Sequence, residues 1–199
     1  MCIHLKFDFK KATQTLNFFA NKFNGRISKL HALKLIFLAD RYHFRKFSRP
    51  ITMDQYFAMK RGSVASMTKN IADLNEEYLS ANMLEYAMKF IKKSPPYYIE
   101  STQDIDYGEL SESDVEALNF IFSKFGKLTP DQLTKLTHNY PEWQKHEKTI
   151  EKTGRAEMSY EDFLDEPYTG EECFPLKSEE KEDLKEFLEE ESRITALWS

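Results

Sequence analysis

The chain has 199 residues, 41% hydrophobic and 14% aromatic, with Phe 16 and Tyr 10 against Gly 6 and Pro 7. That is enough apolar material for one well-filled domain, and it excludes a disordered or low-complexity chain. The formal net charge of -5 hides a division: residues 1–61 carry 13 Lys/Arg against 3 Asp/Glu, a net of +10, and the remainder carries 15 against 30, a net of -15.

The apolar spacing of Phe9, Ala12, Leu16, Phe19, Ala20 and Phe23 predicts a helix over about 8–24, stopped by Asn24-Gly25. Ser28 can cap a second helix reaching about Phe47, which is apolar around much of its girth and so is expected to be central. Arg49-Pro50 ends it, because the residue before proline avoids helical geometry. Thr52 with Gln55 reads as a capping box for a short turn, Tyr56 to Met59 as extended chain, and Gly62 as a sharp reversal. Met67, Ile71, Leu74 and Tyr78 mark a third helix.

From Glu85 to Thr102 the runs EYAMKFI and YYIEST flank Lys92-Lys93-Ser94-Pro95-Pro96, the pattern of a β-hairpin or wing. Ser111-Glu112-Ser113-Asp114 and Thr129-Pro130-Asp131-Gln132 are capping boxes that open two successive helices, and a short basic helix is expected up to about Lys152. Ser159 with Asp162 caps another short helix. Glu179 to Glu191 carries 8 acids against 2 lysines and reads as an amphipathic helix buried through Leu184, Phe187 and Leu188. The expected fold class is mainly α, a compact helical domain of six to eight helices with a small antiparallel β-hairpin or wing. Residues 1–152 are assigned to that domain and 153–199 to an acidic C-terminal extension with short helices packed on it or extending from it.

Cys2 and Cys173 stand alone, with neither a CxxC pair nor ligand-spaced histidines, which fits a reducing compartment. The stretch MCIHLKFDFKK lacks the apolar core of a signal peptide, and no apolar run approaches a membrane span, so a soluble, cytoplasmic protein is expected. The charge division has two readings: the halves neutralise each other in space, or the first half forms a basic docking face. Without an arginine-rich arm or an RNA-binding aromatic motif, nucleic acid is a minor reading for the partner.

The stretch KLIFLADRYHFRKFSRPITMDQYFAMKRGSV contains Leu35, Ala39, Asp40 and Arg41, then Arg49, Pro50, Ile51, Thr52, Asp54, Tyr56, Ala58, Met59, Gly62, Val64 and Ser66. Further on stand Leu110, Ser111 and Asp114, then Leu133, His138, Pro141 and Trp143. In order and spacing this resembles the Panacea domain of SocA/GepA-like antitoxins, over roughly Phe9 to Trp143. The chain departs from the pattern at Gly62-Ser63-Val64-Ala65-Ser66, where members often have Gly-Pro-Val-Pro-Ser, which makes the turn less rigid.

The resemblance implies an antitoxin of a bacterial or phage type II toxin-antitoxin pair, neutralising a cognate protein toxin encoded by the adjacent gene. Members are paired with toxins of several unrelated kinds, including alarmone-synthetase-like translation inhibitors, so the domain does not name the toxin. Some relatives act instead as adaptors that hand the toxin to a protease. A homo-oligomer or a heterotetramer with the toxin is compatible with either role.

No convergent catalytic constellation is legible, so no catalytic residue, metal or cofactor is assigned. Asp40, His43 and His31 can be sketched as the ligands of a metal-dependent hydrolase, the least favoured alternative, with a DNA-binding autoregulator as another. An acidic loop around Cys173 is expected to raise its thiol pKa and oppose nucleophilic use. Toxin contact is assigned to Arg45, Lys46, Arg49, Tyr56, Lys60 and Arg61, around the proline turn, with core packing as the competing role for Tyr56. Asp40, Arg41, Pro50, Asp54, Met59, Gly62, Ser66, His138, Pro141 and Trp143 carry the family pattern and are assigned structural roles.

Overall fold

A computed structural model describes residues 6–167 and 172–197, so Cys2 lies outside the described residues. Helix α1 (Phe9–Lys22) begins where the Asp8 carboxylate accepts from the amides of Lys10 and Lys11. It ends where Asn24 and Gly25 turn left-handed, at φ 58 and φ 85. Strand β1 (Arg26–Ser28) leads into α2 (Lys29–Phe47), whose first turn is capped by the Ser28 hydroxyl. Every residue of α2 from His31 to Arg45 is buried, so α2 is the axis of the fold, as its apolar girth predicts.

Strands β2 (Tyr56–Met59) and β3 (Gly62–Ala65) form a hairpin, followed by α3 (Ser66–Ala72). The expected capping box at Thr52 and Gln55 does not form. The Thr52 hydroxyl donates instead to the buried Asp40 carboxylate, and Gln55 reaches the Met158 carbonyl at 3.2 Å. The third helix is also shorter than its spacing suggests: Leu74 takes φ 41, and Tyr78 lies outside the helix, 58% exposed.

The wing expected over 85–102 is only half a hairpin. Residues EYAMKF belong to α4 (Ala81–Phe90), capped by Ser80, because Met83, Ala87 and Phe90 recur at helical spacing and pack on α1. The hairpin is confined to β4 (Ile91–Ser94) and β5 (Tyr98–Ser101), and it joins β1 in a three-stranded antiparallel sheet with Ile27 opposite Ile99. The capping boxes at Ser111 and Thr129 open α5 (Glu112–Phe125) and α6 (Pro130–Thr137), both packed on α2. Two short helices follow, α7 (Pro141–Gln144) and α8 (Glu147–Thr153).

Strand β6 (Arg155–Glu157) pairs antiparallel with β2, giving a second sheet in the order β3-β2-β6 with Ala58 opposite Ala156. The architecture is therefore mainly α with two small sheets, where one hairpin was expected. A 3₁₀ turn at Tyr160–Leu164, closed by the Ser159–Asp162 box, buries Phe163 and Leu164 completely. Phe163 stands edge-on to Phe37 and Tyr56, with ring centroids 5.6 and 5.5 Å apart, so the segment after Thr153 helps to build the core beside α2. Helix α9 (Ser178–Leu197) buries Leu184 and Leu188 while Phe187 stays 39% exposed.

Gly62 opens β3 at φ +93, and a Cβ there would clash with Lys34 Nζ and stand 2.9 Å from Thr137 Oγ1. Gly62→Ala is expected to destabilise the protein by about 2 kcal/mol, adding a strained backbone to a filled neighbourhood. Gly154→Ala has a similar φ (+80) but nothing within 4 Å, so urea titration should show a smaller loss there. Equal losses would mean that backbone strain alone matters at both glycines.

Candidate protein-interaction site

The β2–β3 hairpin is held from below by side chains of α2 and α7, and its flanks are tied down by Asp54 and Gln55. Asp40, fully buried on α2, accepts from the Ile51 amide at 2.8 Å, the Thr52 amide at 3.1 Å, the Thr52 hydroxyl and the Tyr56 hydroxyl at 2.8 Å. Burial pushes its pKa up to about 6, against these four donors. Asp54 plays the matching role at the other end. Its carboxylate accepts from the amides of Met67 and Thr68, capping α3 where the Ala65 methyl offers no acceptor.

The Trp143 indole donates to the Met59 carbonyl at 2.9 Å, and His138 stacks flat on that indole with ring centroids 3.7 Å apart. Pro141 starts α7 and sets this tryptophan under the hairpin turn. The Ser66 amide closes the exit of β3 on the Gln55 carbonyl.

Lys34, wholly buried on α2, donates to the Ser63 carbonyl of β3 at 2.8 Å. Burial, aided by the positive charge of Arg61, pushes its pKa down to about 7. Between about pH 7 and the ordinary lysine value, the unfolded chain holds a proton that the folded one lacks, so stability rises with pH through this window. Lys34→Met removes that dependence. Denaturant titrations at pH 7 and pH 9.5 should show the unaltered protein gaining stability relative to the variant at the higher pH; a constant difference would contradict the buried neutral amine.

Two arginines of α2 are enclosed by α7 and the chain that follows it. Arg41 donates through Nε to Glu142 at 2.7 Å, through a terminal nitrogen to Glu172, and through the other to the Asp165 carbonyl at 2.6 Å, with its guanidinium 4.4 Å from the Tyr140 ring centroid. Arg45 donates to the carbonyls of Phe163 and Phe174 and to Glu166.

The residues assigned to toxin contact therefore fall into separate environments. Arg45 and Tyr56 are interior, Lys46 pairs with Glu116, and Arg49 pairs with Asp114 at 3.0 Å. Lys60 and Arg61 are exposed together at the hairpin tip. Most of the basic first half is neutralised in space by acids of the second half: Lys10 by Glu109, Lys11 by Asp114, Arg26 by Glu100 and Lys29 by Asp73.

The residues of the sketched metal site are engaged apart from one another. Asp40 is saturated as above, His43 lies between the Arg49 carbonyl and the Ser113 hydroxyl, and His31 packs on Phe23 at 4.7 Å. Burial lowers the His43 pKa to about 4. No group of three or more metal-ligating side chains occurs among the described residues. At Cys173 burial, with Glu172 beside it, raises the thiol pKa.

Outward, the hairpin presents a different chemistry. Phe57, Met59 and Val64 point away from the core, with Arg155 and Glu157 of β6 on the same face. Phe57, Met59, Val64 and Arg155, together with Met67, Lys69 and Tyr78, line a groove of about 310 Å³. A second groove, about 430 Å³, lies on the other side of the tip, between Lys60, Trp143, Ile150 and the acids Glu147 and Glu151. The alternation of β2 could have marked Phe57 as outward-facing. Arg155 carries no local signal, because its place depends on pairing with a strand about a hundred residues earlier.

Residues 33–144 match the family model described as antitoxin SocA-like, Panacea domain, more than half of the chain and including Lys34, Asp40, Arg41 and Glu142. The chain belongs to this antitoxin family. Neither the curated proteins nor the solved structures include a match to it. The match ends at Gln144, the last residue of α7, so β6 and the partners of Arg45 lie outside the matched part of this Panacea protein. No helix among the described residues is long and apolar enough to cross a membrane.

Proposed function

We propose that this protein is the antitoxin of a bacterial or phage two-gene pair and that it neutralises the protein toxin encoded beside it by binding directly over the toxin's active site or substrate entrance. The family match over residues 33–144 carries this reading. The fate of the chain's polar groups supports a binding role over catalysis: Asp40, Asp54, Lys34 and Arg41, buried within the matched part, are spent on holding the hairpin, α3, α7 and the segment after α7. Exposed positive charge at Lys60 and Arg61 can speed association, while apolar groups of the neighbouring face supply lifetime.

Co-expression with the adjacent gene tests the reading. That gene alone should arrest growth, and this chain should restore growth while the amount of toxin stays constant. Restored growth with disappearance of the toxin would transfer the role to a protease adaptor, and a harmless neighbour would remove the antitoxin reading.

A further inference from the structure

We propose that the groove on the outer face of the β3-β2-β6 sheet is the toxin-docking surface, and that it takes an acidic toxin segment bearing apolar anchors. The inference rests on the antitoxin reading and adds to it the place of contact and the chemistry of the partner.

Three observations converge on this face. The first is its apolar floor. Phe57 and Val64 are cross-strand neighbours, Met59 lies two residues along, and Met67 and Tyr78 form the wall, so a sheet face that an interior strand would bury is left half-covered. Tyr78, held at 58% exposure by the turn after α3, is of the residue type that most often anchors interfaces.

The second observation is charge. Among the described residues, Arg155 has no carboxylate within ion-pair distance, and Lys69, which also lines the groove, shares the single carboxylate of Asp73 with Lys29. Arg61 meets only Asp131, at 3.5 Å, with both side chains largely exposed, a contact that solvent screens. Arg155 lies over the Phe57 ring at 5.4 Å, so its guanidinium is fixed at the edge of the apolar floor. Positive charge left unneutralised around an apolar groove complements acids that flank apolar anchors on the partner.

The third observation is rigidity. The hairpin carrying Phe57, Met59 and Val64 is fixed by Asp40, Lys34 and Trp143 from beneath and by β6 at its edge. A preorganised face loses little conformational entropy on binding. The second groove is less suited to this partner, because Glu147 and Glu151 line it beside Lys60.

The test uses the full chain and the purified product of the adjacent gene. Lys69→Glu/Arg155→Glu reverses the charge lining the groove, and Phe57→Asp places a carboxylate on the floor; all three positions line the groove, and circular dichroism checks that each variant is folded. Lys127→Glu/Lys185→Glu, exposed and outside the groove, is the charge control. Each groove variant should weaken binding by at least about 100-fold, with Lys69→Glu/Arg155→Glu also losing salt dependence, while the control binds like the unaltered chain.

Groove variants that bind as the unaltered chain does would overturn the docking surface and leave the antitoxin reading standing. An unaltered chain that does not bind would sink both. If the groove variants instead convert a dimer of the isolated chain to monomer without affecting toxin binding, a second copy occupies the groove and the proposal fails.

Discussion

Arg41→Ala is expected to lower the melting temperature by about 12 °C. The guanidinium is 2% exposed and holds Glu142, which is fully buried, together with Glu172 and the Asp165 carbonyl. Removing one member of a buried ion pair costs roughly 3–5 kcal/mol, because the other charge is left uncompensated. About 4 kcal/mol corresponds to that shift for a domain of this size.

The loss should depend on pH in a defined direction. Burial already pushes the Glu142 pKa up to about 7 while Arg41 draws it down, so removing Arg41 raises it further. The folded variant then binds a proton that the unfolded chain, with an ordinary glutamate, has released, and its stability falls as pH rises through neutrality. The deficit relative to the unaltered protein should be larger at pH 8 than at pH 5. Arg41→Met/Glu142→Gln, which removes both charges, should recover about half of it. A double variant no better than Arg41→Ala would mean that the arginine acts mainly through Glu172 and the Asp165 carbonyl.

Asp40→Ala is expected to cost about 4 kcal/mol by a different route. It leaves two backbone amides, a threonine hydroxyl and the Tyr56 phenol without their acceptor in the interior, at about 1 kcal/mol or more for each orphaned donor. Asp40→Asn keeps one acceptor oxygen and should lose about half as much. The folded pKa of about 6 lies above the ordinary aspartate value, so the contribution of Asp40 is fully present below about pH 4 and declines as pH rises through 6.

Because the same carboxylate ties Ile51, Thr52 and Tyr56 to α2, hydrogen exchange should accelerate over Tyr56–Ala65 in Asp40→Ala. In Arg41→Ala the acceleration should centre on the chain around Asp165. Identical exchange patterns in the two variants would contradict the division of the network into one part that holds the hairpin and one that holds the chain after α7.

Much of the helical scaffold is legible in the sequence because its signals are local. Ser28, Ser111 with Asp114, Thr129 with Gln132, and Ser159 with Asp162 each cap the segment they precede. The departures arise where distant groups win. Thr52 has a capping partner three residues away, yet a buried carboxylate twelve residues earlier takes its hydroxyl. EYAMKFI reads as a strand by its aromatics, but Met83, Ala87 and Phe90 find an apolar partner in α1 and fix the helical period.

The site is divided in the same way. The turn at Gly62 and the extended segment before it can be read directly, and they place Lys60 and Arg61 at an exposed tip. Tyr56 takes the core role that competed with contact in the sequence, but that Arg45 faces inward could not be read from that stretch, since it depends on carbonyls of Phe163 and Phe174, more than a hundred residues later. The surplus of positive charge in the first half belongs largely to the architecture for the same reason. Its partners include the acids of α5, the β5 strand and the chain beyond α7, while among the described residues Lys60 at the hairpin tip, like Lys22 on α1, is left without a carboxylate partner.

Direct association with the product of the adjacent gene is the central claim, and isothermal titration of the two purified proteins tests it most directly. The account predicts saturable binding at a fixed stoichiometry with sub-micromolar affinity, a negative heat-capacity change from the buried apolar face, and weakening as salt is raised. No heat of association, or growth rescue in cells without measurable binding between the purified proteins, would contradict it.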